Sequence, residues 1–150
     1  MGEINWKTGC WVTTIYLVQD NTVLLSWNKN LQTWIPVGGH IDPGEQPHDA
    51  IKREVAEETG LRFEFAPKHY PNGNVQVITP FRVQIDPVSH HNFHINLVYI
   101  GKVTDGSSGA ATDEGEKLKW FSHDELKVEN MLESVRTGAV EALQVVNAEK

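Results

Sequence analysis

A chain of 150 residues that is 39% hydrophobic and 22% charged can bury one ordinary globular core but not two, so a single domain over residues 1–150 is expected. Its formal charge of −7 disfavours non-specific binding to a nucleic-acid backbone, which needs a basic footprint; a phosphorylated small molecule stays open if local cations receive it. No stretch approaches the roughly 20 apolar residues of a membrane-spanning helix, no leader pattern is visible, and the lone Cys10 cannot form an internal disulfide, so a cytoplasmic protein is expected.

Residues 10–18 and 22–27 are rich in β-formers and are separated by Gln19, Asp20 and Asn21, which predicts a hairpin closed by an Asp-Asn turn, with Cys10 as a buried thiol. A short extended piece follows over 34–37, where Pro36 forbids a helix, and Gly38 and Gly39 permit backbone approaches closed to other residues. After a turn at Asp42, Pro43 and Gly44, a helix is predicted over 47–59, with Pro47 in its first turn and Gly60 as a left-handed cap. Residues 62–69 read as a strand, 71–74 as a turn, and 75–85 as a strand that Pro80 interrupts. Asp86 opens a loop that carries His90 and His91 and leads into the most apolar strand of the second half, 93–103. The small, polar run 104–116 reads as a surface loop, and 117–121 as a short strand. Ser122 is placed to cap a brief helix over 124–126, and Asn130 a second over 131–146, with Leu132, Val135, Val140, Leu143 and Val146 as its buried stripe. Strands with two well-separated helices indicate an α/β fold, a mixed sheet covered on both faces.

Residues 39–61, GHIDPGEQPHDAIKREVAEETGL, set Gly39, Glu45, Arg53, Glu54, Glu57, Glu58 and Gly60 in the spacing G-x5-E-x7-R-E-U-x-E-E-x-G-U, with Val55 and Leu61 at the aliphatic positions U. This is a complete Nudix box, and through it the chain resembles the Nudix hydrolases. The resemblance implies an α/β/α sandwich with the mixed β-sheet between helices.

At about 100° per residue, Glu54, Glu57 and Glu58 share an arc of about 100° on one helix face, beside Ile51 and Val55, so the acidic face borders the core. Like charges three and four residues apart repel unless a cation intervenes or a proton is taken up. A charge run is usually only a solvated face; the glycine turn, Glu45 and Arg53 at fixed spacing favour a cation site instead. An all-oxygen donor set suits Mg²⁺, with Mn²⁺ as the alternative.

The resemblance implies roles at the matching positions. Glu57 and Glu58 bind metal with the Gly38 carbonyl, and Glu54 is a further ligand or the base that activates water. Arg53 holds a carboxylate by a bidentate pair, and Glu45 braces the loop. The implied reaction is Mg²⁺-dependent water attack on a phosphoanhydride of a nucleoside diphosphate linked to another group, a small-molecule substrate. Family members often recruit one more glutamate from a late loop. Glu114 is favoured over Asp113 and Glu116, against the plain reading that all three are solvated loop acids.

Around the box, His94 and Asn96 share one face of their strand and could line a cleft that touches substrate, whereas a histidine-bearing surface loop or a second metal site are the other readings of His90, His91 and His94. Trp34 could stack on a base, although an aromatic in a strand is more often core. Arg82 and Lys119 are possible phosphate contacts that no spacing supports. Two other functions compete: a non-catalytic nucleotide-binding Nudix module, which would typically have lost box glutamates, and a prenyl diphosphate isomerase, which would need a cysteine better placed than Cys10. Nothing in the sequence selects the nucleotide derivative or decides between a monomer and a homodimer.

Overall fold

In the computed structural model, which describes residues 9–67, 78–87, 93–105 and 117–149, the strand Cys10–Gln19 (β1) is the axis on which the rest is assembled. It turns back through Asp20 (φ 49°) and Asn21 (φ 61°), both left-handed as a tight primed hairpin turn requires, into Thr22–Asn28 (β2). Thr33–Ile35 (β3) pairs with β2, and beyond Pro36 the chain crosses to Val37–His40 (β4), which pairs with β1. The helix Pro47–Thr59 (α1) ends as predicted at Gly60 (φ 70°), whose N–H reaches back to the Ala56 and Val55 carbonyls. There follow Phe63–Phe65 (β5), Arg82–Asp86 (β6), His94–Val103 (β7), Leu118–Ser122 (β8), His123–Val128 (α2) and Glu133–Ala148 (α3).

The described strands form one mixed 8-stranded sheet, in which β1 runs parallel to β7 and every other pairing is antiparallel. One edge of β1 is filled by β7; the other is divided, β4 taking Val12 to Ile15 and β2 taking Leu17 to Gln19. Alternation along β1 then sorts the core into two layers. Ile15 and Leu17 pack with Leu24 and Val37 against Ile51 and Val55 of α1, while Tyr16 and Val18 pack with Val23, Leu25 and Ile100 against Val135, Ala139, Leu143 and Val146 of α3. Each such aliphatic side chain contributes about 1.5–3 kcal/mol over its exposed state. The architecture is the expected α/β/α sandwich, and no described helix is long and apolar enough to cross a membrane.

Several elements differ from expectation. Helix α3 begins at Glu133 with Leu132 as its N-cap rather than Asn130, because Arg136 intervenes: its guanidinium donates to the Leu126 carbonyl and, at 3.0 Å, to the Glu129 carbonyl. Leu132 therefore falls outside the helix and is exposed, Val140 is only partly buried, and the buried stripe includes Gly138, Ala139 and Ala142. Strand β5 is cut short at Phe65, just before Ala66 and Pro67, since proline cannot donate to a ladder. Strand β6 starts only after Pro80 and includes Asp86, which is not a loop residue. Cys10 is half-buried rather than buried. Ser122 caps α2 as expected, in a reciprocal box with Glu125. The expected turn at 71–74 lies outside the described residues, as does all but the start of the 104–116 loop.

Gly138 sets how closely α3 approaches the sheet: a Cβ there would lie 2.5 Å from both Cζ and Oη of the buried Tyr16. Gly138→Val is therefore expected to lower stability by about 2 kcal/mol through overpacking, read from the urea midpoint. An unchanged midpoint would mean that α3 does not depend on this contact.

Candidate active site

The pairing of β4 with β1 brings two glycines against the centre of the sheet. A Cβ at Gly38 would fall 2.1 Å from the Thr13 carbonyl oxygen and 2.8 Å from the Thr14 Cα, so no side chain fits without moving backbone. A Cβ at Gly39 would lie 2.5 Å from Glu54 Oε1. The bare backbone of β4 is thus a cradle on which the Glu54 carboxylate of α1 rests.

Past His40 the chain is closed into a tight loop by its own polar groups. Glu45 accepts from the Asp42 N–H at 3.0 Å through Oε1, and its N–H donates to the Asp42 carbonyl at 3.0 Å, across the positive-φ Gly44. Arg53, nearly two turns into α1, binds this loop. Its Nε donates to Glu45 Oε2 at 2.8 Å and its Nη2 to Glu45 Oε1 at 3.0 Å, a bidentate pair, and Nη2 also reaches the His40 carbonyl at 3.1 Å. From its other side Nη1 donates to Glu54 Oε1 at 2.9 Å and to Glu57 Oε2 at 3.4 Å. The bond to Arg53, backed by the Asp42 N–H, holds the Glu45 carboxyl down at about 2, and the same bond raises the already high pKa of Arg53.

The three acids of the helix face are not equivalent. The Glu54 side chain is 13% exposed against Gly39, whereas that of Glu57 is 60% exposed; Glu58 is half-buried. Ile51 and Val55 beside them are buried, so the face borders the core as expected. As they stand, Glu54 and Glu57 are turned onto Arg53, and among the described residues no three or more His, Cys, Asp or Glu side chains are gathered as a metal set. The donors available are nonetheless all hard oxygens, and those of Glu54 and Glu57 already converge on one positive charge.

On the opposite, α3-facing side of the sheet, strand register places polar residues beside the same glycines. One row across the strands runs Gly38, Thr14, Val98, Arg82; the next runs His40, Val12, Asn96, Gln84; the third runs Cys10, His94, Asp86. Asn96, 5% exposed, accepts from Thr14 Oγ1 at 3.0 Å and donates to Asp86 Oδ2 at 3.0 Å, while Gln84 donates to Asp86 Oδ1 at 2.8 Å. The rings of His94 and His40 meet edge to face at 5.3 Å. His94 and Asn96 therefore share a face, as their spacing indicated. The sequence reading missed Thr14, Gln84 and Asp86, although the polar alternation of Arg82, Gln84 and Asp86 was a usable signal.

Trp34 is not on this surface. It is 3% exposed, wedged edge to face between Trp27 and Phe121, with its indole N–H on Glu129 at 3.2 Å, so no ring face is left for a base. Lys119 pairs with Glu125 at 3.3 Å. Glu114, with Asp113, Glu116, His90 and His91, lies outside the described residues.

The Glu45–Arg53 pair has a pH signature. Because the folded-state pKa of Glu45 is depressed to about 2, its contribution is complete above its unfolded value, about 4.3, and is lost as pH falls toward 2. Glu45→Gln should lose less stability than the parent between about pH 4.5 and 2, measured as urea midpoints over that range. Parallel curves for the two proteins would contradict the pairing.

Comparison with known proteins agrees with this geometry. The NUDIX domain family matches residues 11–143. A Bacillus subtilis (strain 168) protein named for 8-oxo-dGTP diphosphatase activity is 30% identical over 108 residues, 72% of this chain and 62% of that protein, so the chain spans less than two thirds of this relative's length. The asymmetrical bis(5'-nucleosyl)-tetraphosphatase of Rattus norvegicus is 26% identical over 111 residues, covering 71% and 69% of the two chains. A solved NUDIX-family hydrolase from Clostridium perfringens superposes with a TM-score of 0.79 at 30% identity, covering 91% of this chain and 97% of that one. With its box intact, its glycine cradle and its sandwich fold, the chain belongs to the Nudix hydrolase family.

Proposed function

We propose that the protein is a Mg²⁺-dependent pyrophosphohydrolase that cleaves a phosphoanhydride in a nucleoside diphosphate linked to another moiety. The observation that carries this reading is the convergence of Glu54 and Glu57 on the Arg53 side of the Gly39 cradle, at 2.9 and 3.4 Å from one guanidinium. Carboxylates gathered around a positive charge at a backbone with no side chains leave room for an anionic substrate only if further cations enter. The relatives named for 8-oxo-dGTP and bis-nucleosyl tetraphosphate hydrolysis support a nucleotide polyphosphate as the substrate class.

Glu57, Glu58 and Glu54, with the Gly38 carbonyl, would hold Mg²⁺ or Mn²⁺; the all-oxygen donor set fits such an ion. A divalent ion bound there would neutralise phosphate charge and lower the pKa of a coordinated water. Glu54, the most enclosed of the three acids, is the group we assign to take the proton from the attacking water. Arg53 does not touch substrate in this scheme: with its charge engaged by Asp42, Glu45, Glu54 and Glu57, it fixes the loop and aims the acids. The polar floor of His94 and Asn96 would receive the nucleoside, and Glu114 is retained as a further acid for the site. The single cysteine supports a cytoplasmic setting.

Glu54→Gln and Glu57→Gln should each lower hydrolysis of nucleoside diphosphate derivatives, read as formation of the nucleoside monophosphate, about 10²–10⁴-fold, and chelation should abolish it. Absence of turnover on every such substrate in Mg²⁺ would favour a binding module. If Glu114→Gln leaves turnover and metal dependence unchanged, that residue has no part in the reaction.

A further inference from the structure

A cavity of about 260 Å³ opens at the end of β1 that points away from the box. Its walls are the hairpin tip at Asp20 and Asn21, the end of β7 at Lys102 and Thr104, and the last turn of α3 at Val146 and Asn147. Strand β4 pairs with β1 no farther than Ile15, so Asp20 lies beyond it by about 16 Å along the strand direction. Asn147 donates to Asn21 Oδ1 at 2.9 Å and ties two of these walls together. The volume is below the roughly 300–1,000 Å³ of clefts that hold drug-sized ligands, which suits a small metabolite rather than a nucleotide.

Two opposite charges line this cavity and do not meet. Alternation along β7 turns Lys102 to the same side as Val98 and Ile100, toward α3, in register with the buried Val18. Asp20 is held in the turn by its left-handed backbone, φ 49°. Both are exposed, and among the described residues neither side chain has an ion pair or a hydrogen bond. Helix α3 ends at the same cavity with no basic residue in its last turn, so nothing in the helix itself offsets the negative end of its dipole. The negative side of the cavity is therefore Asp20 with the end of α3, and the positive side is Lys102.

We propose that this cavity is a binding site for a small zwitterion of the α-amino-acid type, its ammonium group on Asp20 and the end of α3 and its carboxylate on Lys102. A ligand with a single charge answers one wall and is opposed by the other, and a neutral ligand leaves both unanswered. The amides of Asn21 and Asn147 and the Thr104 hydroxyl supply further hydrogen bonds along the same walls. The site is separate from the box and does not rest on the proposed reaction.

The test is a titration of the isotope-labelled full chain with glycine, alanine and glutamine, followed by its amide NMR signals. Acetate, ethylammonium and glucose serve as probes that carry one charge or none. At least one amino acid is expected to shift the signals of Asn21, Lys102, Thr104 and Asn147 saturably. It should bind about tenfold more tightly than acetate or ethylammonium, the loss expected for one missing charge-assisted hydrogen bond. Asp20→Asn, which keeps a residue that tolerates the left-handed turn, and Lys102→Gln should each weaken that binding about tenfold, with the signals of α1 unchanged. Saturation by none of the three amino acids, binding of a singly charged probe or glucose as tight as theirs, or variants that bind them as the parent does would overturn the assignment. So would a loss in only one of the two variants, since a zwitterion engages both charges.

Discussion

Everything at the site depends on one guanidinium. Glu45, Glu54 and Glu57 are brought together by a loop and a helix that would otherwise be driven apart by charge, and Arg53 answers each of them within 3.4 Å while also reaching the His40 carbonyl. A lysine could not do this, because the contacts use a planar fork on one side and a separate N–H on the other. The same residue therefore fixes loop shape, helix position and carboxylate direction. Its exposure is modest, so its pairs with the enclosed Glu45 and Glu54 are worth more than surface salt bridges, while those with the exposed Glu57 and Asp42 are not.

The divided edge of β1 explains why the box borders two chemistries. Since β4 and β2 share one edge of β1, the glycines lie directly beside the central strand of the sheet, with α1 on one face and the polar floor on the other. Gly39 faces the carboxylate of Glu54, and Gly38 shares its row with Thr14 and Arg82. Two consecutive residues without side chains thus connect the acidic face to the face that carries Asn96 and Asp86. Burial of Asn96 with both ends of its amide engaged keeps that floor rigid, because a misdirected buried amide would cost the full desolvation of its polar atoms.

What the sequence disclosed was local. The hairpin at Asp20 and Asn21, the span of α1 with its Gly60 cap, and the Ser122 box all follow from chemistry within a few residues. The box spacing likewise placed Glu54, Glu57 and Glu58 on one helix face. What it hid was long-range. The start of α3 is set by Arg136 bonding carbonyls of the preceding turn, which no capping pattern at Asn130 reveals. Trp34 lies close in sequence to the glycines but is buried in the core away from them, because the chain changes partner from β2 to β1 at Pro36. The rows that join Thr14, Asn96 and Asp86 depend on the register of three strands and cannot be read from spacing along any one of them.

The central claim is that the acids held by Arg53, together with the Gly38 carbonyl, are the seat of a divalent cation. Crystals grown in Mn²⁺ and measured for anomalous scattering test it most directly. The account predicts a peak within coordinating distance of the Gly38 carbonyl oxygen and of at least one of Glu54, Glu57 and Glu58. A Mn²⁺ peak elsewhere, with those carboxylates still turned onto Arg53, would contradict it.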